Sequence, residues 1–211
     1  MCEPLTNARV AVALSGGVDS AMAAYLLRRR GLEVAGVYLR LGEDPPCPPL
    51  LPELAAKLGI ALEILDLRRE FAALVVEPFV RRYVAGLTPN PCVVCNAAVK
   101  FGVLWERVRT RGFTHLATGH YVRLECTPAG DLGLYRGVDR SKDQAYFLCR
   151  LPRELLPRLV FPLGGLTKEE VRRRYREAEL PPLPAWESQD LCFIPRGDYR
   201  EFLRSRGWQD E

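Results

Sequence analysis

Residues 8–20, ARVAVALSGGVDS, constrain the chain more than any other stretch. The run 8–14 is short, apolar and rich in Val and Ala, which suits a buried strand. It passes through two glycines straight into AMAAYLLRRRG, a segment helical by composition that ends on Gly31 behind a last turn of arginines. The alternation then repeats. EVAGVYLRL (33–41) reads as a second strand, PELAAKLG as a helix closed by Gly59, and IALEILDL as a third strand. Helical stretches over 70–85, bent at Pro78, and over 97–111, stopped at Gly112, precede a strand in FTHLATGHY. Strands alternating with helices predict an α/β fold with a parallel sheet and helices on both faces. Ligands in such sheets bind beyond the carboxyl ends of the strands. SGGVDS, the residues after Leu39, and ATGHY all lie at those ends and are expected to line one crevice.

The second part of the chain has another rhythm. Residues 121–137 read as a hairpin turning at 128–131, and TKEEVRRRYREA opens with a Thr167/Glu170 capping box. PPLPAWESQDLCFIP is proline-rich and reads as a loop. The expected division is a nucleotide-binding domain with a cysteine loop over 1–137 and a helical extension over 138–211. With 48% hydrophobic and 27% charged residues the composition is that of an ordinary soluble protein. No run approaches the ~18 apolar residues of a membrane span, and MCEPLTNARV has no secretory pattern. A cytoplasmic protein with no membrane partner is expected. The net charge of +4 says little about partners, and the arginine runs 28–30 and 172–174 read first as solvated helix faces. Trp105, Trp186 and Trp208 read as core or loop packing rather than as platforms for a base.

SGGVDS is neither a Walker loop nor a dinucleotide fingerprint. Gly16 and Gly17 let backbone amides approach an anion, and the helix starting near Val18 offers unpaired N–H groups and a positive dipole end. Ser15 and Ser20 add hydroxyls. Asp19 fits beside a polyphosphate if it orients the loop or helps to hold Mg²⁺. The six residues resemble the pyrophosphatase-type ATP loop of enzymes that adenylate a substrate and release pyrophosphate.

Seven cysteines, an odd number, argue against a disulfide framework. Cys92 and Cys95, in TPNPCVVCN, are a single close pair, whereas structural zinc sites generally use two. A redox pair has the right spacing but the wrong flanks. Adenylation beside thiols suggests a third use: AMP is a good leaving group, and a sulfur nucleophile can replace oxygen. One thiol would carry the sulfur, and a second would release it as a disulfide forms. Cys192, in SQDLCFIP, supplies a third thiol. Cys126 and Cys149 read as small buried hydrophobes, Cys47 as an exposed loop thiol, and Cys2 is given no role.

SGGVDS, TPNPCVVCNAAVKFG, ATGHY, RGVDRSKDQAYFL, FPLGGLTKEEVR and ESQDLCFIPRGDY occur in the order found in tRNA-specific 2-thiouridylases, a family this chain resembles from about residue 8 onward. The resemblance implies an ATP-dependent tRNA sulfurtransferase that adenylates O2 of uridine, at the wobble position, and replaces it with sulfur. It implies an ATP site lined by Ala13, Leu14, Ser15, Gly16, Gly17, Val18, Asp19, Ser20, Leu39 and Gly119, with Asp19 near the phosphates and Mg²⁺. Cys95 takes the nucleophile's place and Cys192 that of the persulfide carrier. Asn90, Pro91 and Cys92 fall where the target base is met, and His120, Lys142, Asp143 and Gln144 where tRNA is contacted.

Three departures stand out. Many members have Asp where this chain has Cys92, so Cys92, Cys95 and Cys192 together suit a [4Fe–4S] cluster with one open iron, the alternative being a persulfide route with Cys92 as bystander. The family continues past this region into C-terminal β domains that the sequence does not include, so the chain is expected to be either a natural short form or a fragment, and a partner protein could supply the grip on tRNA. LGEDPPCPPL is shorter than its counterpart. Besides tRNA, a persulfide carrier or sulfide is expected as sulfur donor. The second reading is an ATP-dependent thiolase or sulfur-handling enzyme acting on another RNA or a small molecule. A non-catalytic sulfur or Fe–S carrier would need neither SGGVDS nor the KDQ triplet.

Overall fold

The computed structural model describes residues 5, 7–42, 47–182, 191–194 and 199–206. The chain runs through β1 (Arg9–Leu14), α1 (Val18–Arg29), β2 (Glu33–Arg40), α2 (Leu50–Leu58), β3 (Ala61–Asp66), α3 (Arg68–Phe71) and α4 (Glu77–Val84). It continues through α5 (Pro91–Cys95), α6 (Leu104–Arg109), β4 (His115–Ala117), β5 (Val122–Cys126), β6 (Leu132–Arg136), β7 (Leu159–Val160), α7 (Lys168–Glu177) and α8 (Tyr199–Arg204). π-helical segments, Ala72–Val76 and Asn96–Val103, join α3 to α4 and α5 to α6.

The main sheet has the order β3-β2-β1-β4-β7, and every pairing in it is parallel. Strand order reverses at β1, with β2 on one side and β4 on the other. A crevice therefore opens beyond the carboxyl ends of β1 and β4, where the SGGVDS turn and Thr118–His120 emerge. β5 and β6 form the expected antiparallel hairpin.

Both faces of the sheet are covered, so β1 is apolar from Val10 to Leu14 and its side chains alternate between two cores. Val10, Val12 and Leu14 pack with Met22 and Leu27 of α1, Leu51 and Leu54 of α2, and Val171 and Tyr175 of α7. Ala11 joins the opposite core, with Phe71, Val75, Cys95, Val99, Leu104 and Leu116. Each fully buried Leu or Val contributes roughly 1.5–3 kcal/mol of transfer free energy.

Described residues beyond 137 join both cores. β7 completes the main sheet, Leu148 and Leu156 share one core, and Leu163 and Val171 share the other. The Thr167/Glu170 capping box forms in full at the start of α7. Trp105 is buried, as read from the sequence. Trp186 and Trp208 lie outside the described residues, as do Cys2 and most of the proline-rich loop. Three cysteine readings are corrected. Cys149 is exposed, and Cys126 is exposed, at the turn end of the hairpin, and disulfide-bonded. Cys47 is half-buried against the α1 core rather than exposed. Among the described residues no helix is long and apolar enough to cross a membrane.

Candidate active site

At the end of β1 the chain turns through Ser15–Gly17 into α1. Gly16 has φ of +83°, a conformation that strains any side chain. The Ser20 hydroxyl accepts from the Ser15 N–H at 3.1 Å and donates to the Gly17 carbonyl at 3.0 Å, which fixes the turn. Gly17 is the N-cap of α1, and no side chain caps that helix. Its first-turn N–H groups are thus left for an anion. Gly119 closes the crevice from β4: a Cβ there would stand 2.8 Å from the Asp19 carbonyl carbon and the Ser20 nitrogen. Only glycine lets the two backbones come so close, and these features fit a nucleotide polyphosphate. Of the other residues expected to line this site, Ser15 is exposed, Val18 is partly buried, Leu14 is core, and Ala13 and Leu39 are partly buried against the opposite core.

The Asp19 carboxylate has partners the sequence did not suggest. Lys168 Nζ donates to both its oxygens, at 2.8 and 2.7 Å, and the Tyr121 hydroxyl donates to Oδ1 at 2.8 Å. Burial, followed by the charge of Asp19, pushes the Tyr121 phenol well up, so it stays a donor. His120 is buried, with Nδ1 2.7 Å from the Thr118 hydroxyl. Burial and then Lys100 push its pKa well below the usual value, so it is neutral.

The cysteine loop is built by an N-cap. Asn90 Oδ1 accepts from the N–H groups of Cys92 and Val93, at 3.1 and 3.3 Å, and Pro91 takes the first helical position. Asn90 and Pro91 therefore orient α5, which presents Cys92 half-buried and Cys95 buried. Phe193, the neighbour of Cys192, sits among Phe71, Phe79 and Phe202, its ring centroid 5.4–5.7 Å from theirs. Cys192 keeps an exposed face but is crowded on its inner side. Cys95 feels the charge of both Cys92 and Cys192, and Cys192 feels that of Cys92, so the fold gathers them. Burial raises all three and takes Cys95 to about 11, while the ammonium of Lys100 opposes the rise in each. Among the described residues no three Cys, His, Asp or Glu side chains close on a single metal ion. A cluster that spaces its thiolate ligands more widely still has three candidate donors in Cys92, Cys95 and Cys192.

The KDQ stretch forms a strap between the two halves of the site. Asp143 accepts from Arg136 Nε and from the N–H groups of Gly137 and Ala145. Gln144 Oε1 accepts from the Tyr121 N–H at 3.0 Å. Both side chains thus hold the loop itself, which carries Lys142 directly before them. The Asn96 amide donates to the Phe147 carbonyl at 3.4 Å, tying α5 to the turn after the strap, and its buried Oδ1 has no partner among the described residues.

A family model described as the tRNA methyl transferase HUP domain matches residues 8–196, a span holding the phosphate loop, the thiols and the strap. The chain belongs to this family. Within the HUP-domain family it is similar to the tRNA-specific 2-thiouridylase MnmA of Nitratidesulfovibrio vulgaris, with 46% identity over 93% of this chain and 58% of the relative. The enzyme of the same name from Thermus thermophilus is 45% identical over 94% of this chain and 58% of its own. The chain thus spans less than two thirds of the length of these relatives. A solved structure, a predicted subunit of tRNA methyltransferase from Methanocaldococcus jannaschii, is 22% identical over 80% of this chain and 74% of that one, with a TM-score of 0.48.

Sequence reasoning missed Lys100, Lys168, Tyr121 and Phe193 as parts of the site. Lys100 sits in VKFG and Lys168 opens a capped helix, so each had a sufficient local explanation. Only the fold shows what their side chains reach.

Proposed function

We propose that this chain is the catalytic part of an ATP-dependent tRNA sulfurtransferase that makes 2-thiouridine, at the wobble position. The observation that carries the reading is the gathering of Cys95 and Cys192 from distant parts of the sequence around Lys100, whose charge also reaches the buried His120 next to Gly119 of the nucleotide crevice. The family description speaks of methyl transfer, but an adenylating loop beside paired thiols suits sulfur insertion, the activity in the relatives' names. In the first step O2 of uridine attacks the α-phosphorus and pyrophosphate leaves. The uncapped start of α1 and the amides of Gly16 and Gly17 bind the phosphates. Mg²⁺ would screen their charge beside Asp19. In the second step the terminal sulfur of a Cys192 persulfide attacks C2 and AMP leaves. Cys95 then attacks the Cys192 sulfur, freeing the thiocarbonyl and leaving a Cys95–Cys192 disulfide. A dithiol reductant restores the thiols, and a persulfide donor reloads Cys192.

Lys142 would border the tRNA-facing side, with Asn90, Pro91, Asp143 and Gln144 holding the backbone that presents it, and the buried His120, expected from the resemblance to contact tRNA, would support that side from within. tRNA as substrate implies work in the cytoplasm, and a partner protein contributing tRNA contacts belongs to the same proposal. A second reading is favoured by Cys92 alone, the added thiol within electrostatic reach of Cys95 and Cys192. The three would hold a [4Fe–4S] cluster, which when bound would supply an iron able to take up hydrosulfide. Anaerobic reconstitution with iron and sulfide separates the two: Cys92→Ser should abolish a three-cysteine cluster and leave a persulfide route intact. The overall reading is tested by incubating the chain with ATP, Mg²⁺, a persulfide donor and bulk tRNA, then digesting to nucleosides. It predicts 2-thiouridine. ATP binding without any thiolated nucleoside would move the assignment to another RNA or a small-molecule substrate.

A further inference from the structure

The phosphate loop meets a cation from the far end of the sequence. Lys168 is the first residue of α7, and that helix packs on α1 through Val171 and Tyr175. Its ammonium donates to both oxygens of Asp19, in the first turn of α1, next to the uncapped N–H groups. The pair is partly buried, with Lys168 13% exposed and Asp19 34%. Three further contacts hold it. The Tyr121 hydroxyl donates to the same carboxylate, the Lys168 ammonium lies 5.8 Å from the Tyr121 ring centroid, and the Lys168 N–H donates to Asp139 Oδ2 at 3.0 Å. Such a network fixes an ammonium in place without neutralising the loop's preference for anions.

A carboxylate in the first turn of a phosphate-binding helix would repel a polyphosphate if it stood alone. Its bidentate pairing removes that repulsion and explains why the loop tolerates an acid there. Lysine has a compact charge on a flexible stem, so it can turn from a carboxylate oxygen to a phosphate oxygen with little movement of α7. We infer that Lys168 is a polyphosphate-binding residue of the ATP site, held ready by Asp19 and Tyr121, and that Asp19 acts as its positioning residue. The inference rests on the ATP-using reading above.

Calorimetric titration of the 211-residue chain with Mg-ATP, Mg-pyrophosphate and AMP tests it. Lys168→Met should weaken ATP and pyrophosphate by about tenfold to a hundredfold, the range of a lost charge-assisted hydrogen bond, and leave AMP within about twofold. Lys168→Arg, which keeps the charge, should recover part of the loss. The Asp19→Asn/Lys168→Met double variant leaves no unpaired buried carboxylate, so it keeps the phosphate-specific loss without a folding penalty. Unchanged ATP and pyrophosphate affinity in Lys168→Met would overturn the inference. An equal loss for AMP would do the same, since it would show a purely structural role. Failure of the wild-type chain to bind ATP or pyrophosphate would overturn the ATP-using reading itself, and the inference with it.

Discussion

Cys95 is poorly suited to act as a nucleophile in the resting protein. Burial takes its pKa to about 11, so the thiol is protonated at neutral pH and its thiolate fraction grows as pH rises toward that value. The charge of Lys100 opposes the shift in all three thiols. Alkylation of Cys95 by iodoacetamide should therefore be slow at pH 7 and accelerate with pH. Lys100→Met should move the profile to higher pH and slow the reaction about threefold or more at fixed pH, half a pKa unit being a factor of three. A profile unmoved by the substitution would remove Lys100 from the site. His120 makes the opposite kind of prediction. It is held neutral, with its folded-state pKa far below the unfolded 6.5. Its contribution to stability is present above pH 6.5 and is lost as pH falls below that value, at up to about 1.4 kcal/mol per pH unit. Urea midpoints should fall with acidification below pH 6.5, and His120→Gln should flatten that slope. Neither residue's setting was legible in the sequence, because burial and neighbouring charge are properties of the folded site. The reading of Cys126 and Cys149 as buried shows the same limit: cysteine's general tendency to be buried says nothing about the end of a particular hairpin.

At the scale of elements, the strand, glycine loop and helix around SGGVDS were legible because local signals agree: an apolar run, two glycines, and a helix closed by Gly31. β2, β3 and the hairpin were legible for the same reason. β7 was not, since Leu159–Val160 is too short to show a period. The π-helical segments were not either, because a shifted hydrogen-bond register leaves the pattern of apolar residues almost unchanged. One of them, Asn96–Val103, carries Asn96 and Lys100 directly behind Cys95, in keeping with the frequent occurrence of π-bulges at functional sites. The approach of Cys192 depends on another element-level feature, the packing of Phe193 against Phe71 and Phe79 on α3 and α4 and against Phe202 on α8. Phe193→Ala removes contacts worth roughly 0.5–1.5 kcal/mol per aromatic pair. Oxidation by diamide should then form the Cys95–Cys192 disulfide at least about fivefold more slowly than in the parent, with the unfolding transition reduced only modestly. Unchanged disulfide formation would mean that the loop is placed by something other than this aromatic cluster.

For the whole molecule, the topology unites what the sequence separates. The strand order brings SGGVDS and ATGHY to one switch point, and α7 returns to α1 to deliver Lys168 beside them. The order of motifs was enough to expect an adenylating site and a thiol site in one protein. How they connect became visible only in the strap, where Gln144 binds the Tyr121 backbone while the Tyr121 hydroxyl binds Asp19. That bridge suits a reaction in which activation by ATP and delivery of sulfur happen on one base in turn. The most direct test measures AMP, pyrophosphate and 2-thiouridine together in single-turnover reactions with tRNA, using the parent chain, Cys95→Ser and Cys192→Ser. One AMP and one pyrophosphate per 2-thiouridine are expected from the parent, and no 2-thiouridine from either variant, with pyrophosphate release still dependent on tRNA. Normal 2-thiouridine yield from both variants, or thiolation without AMP formation, would contradict the account.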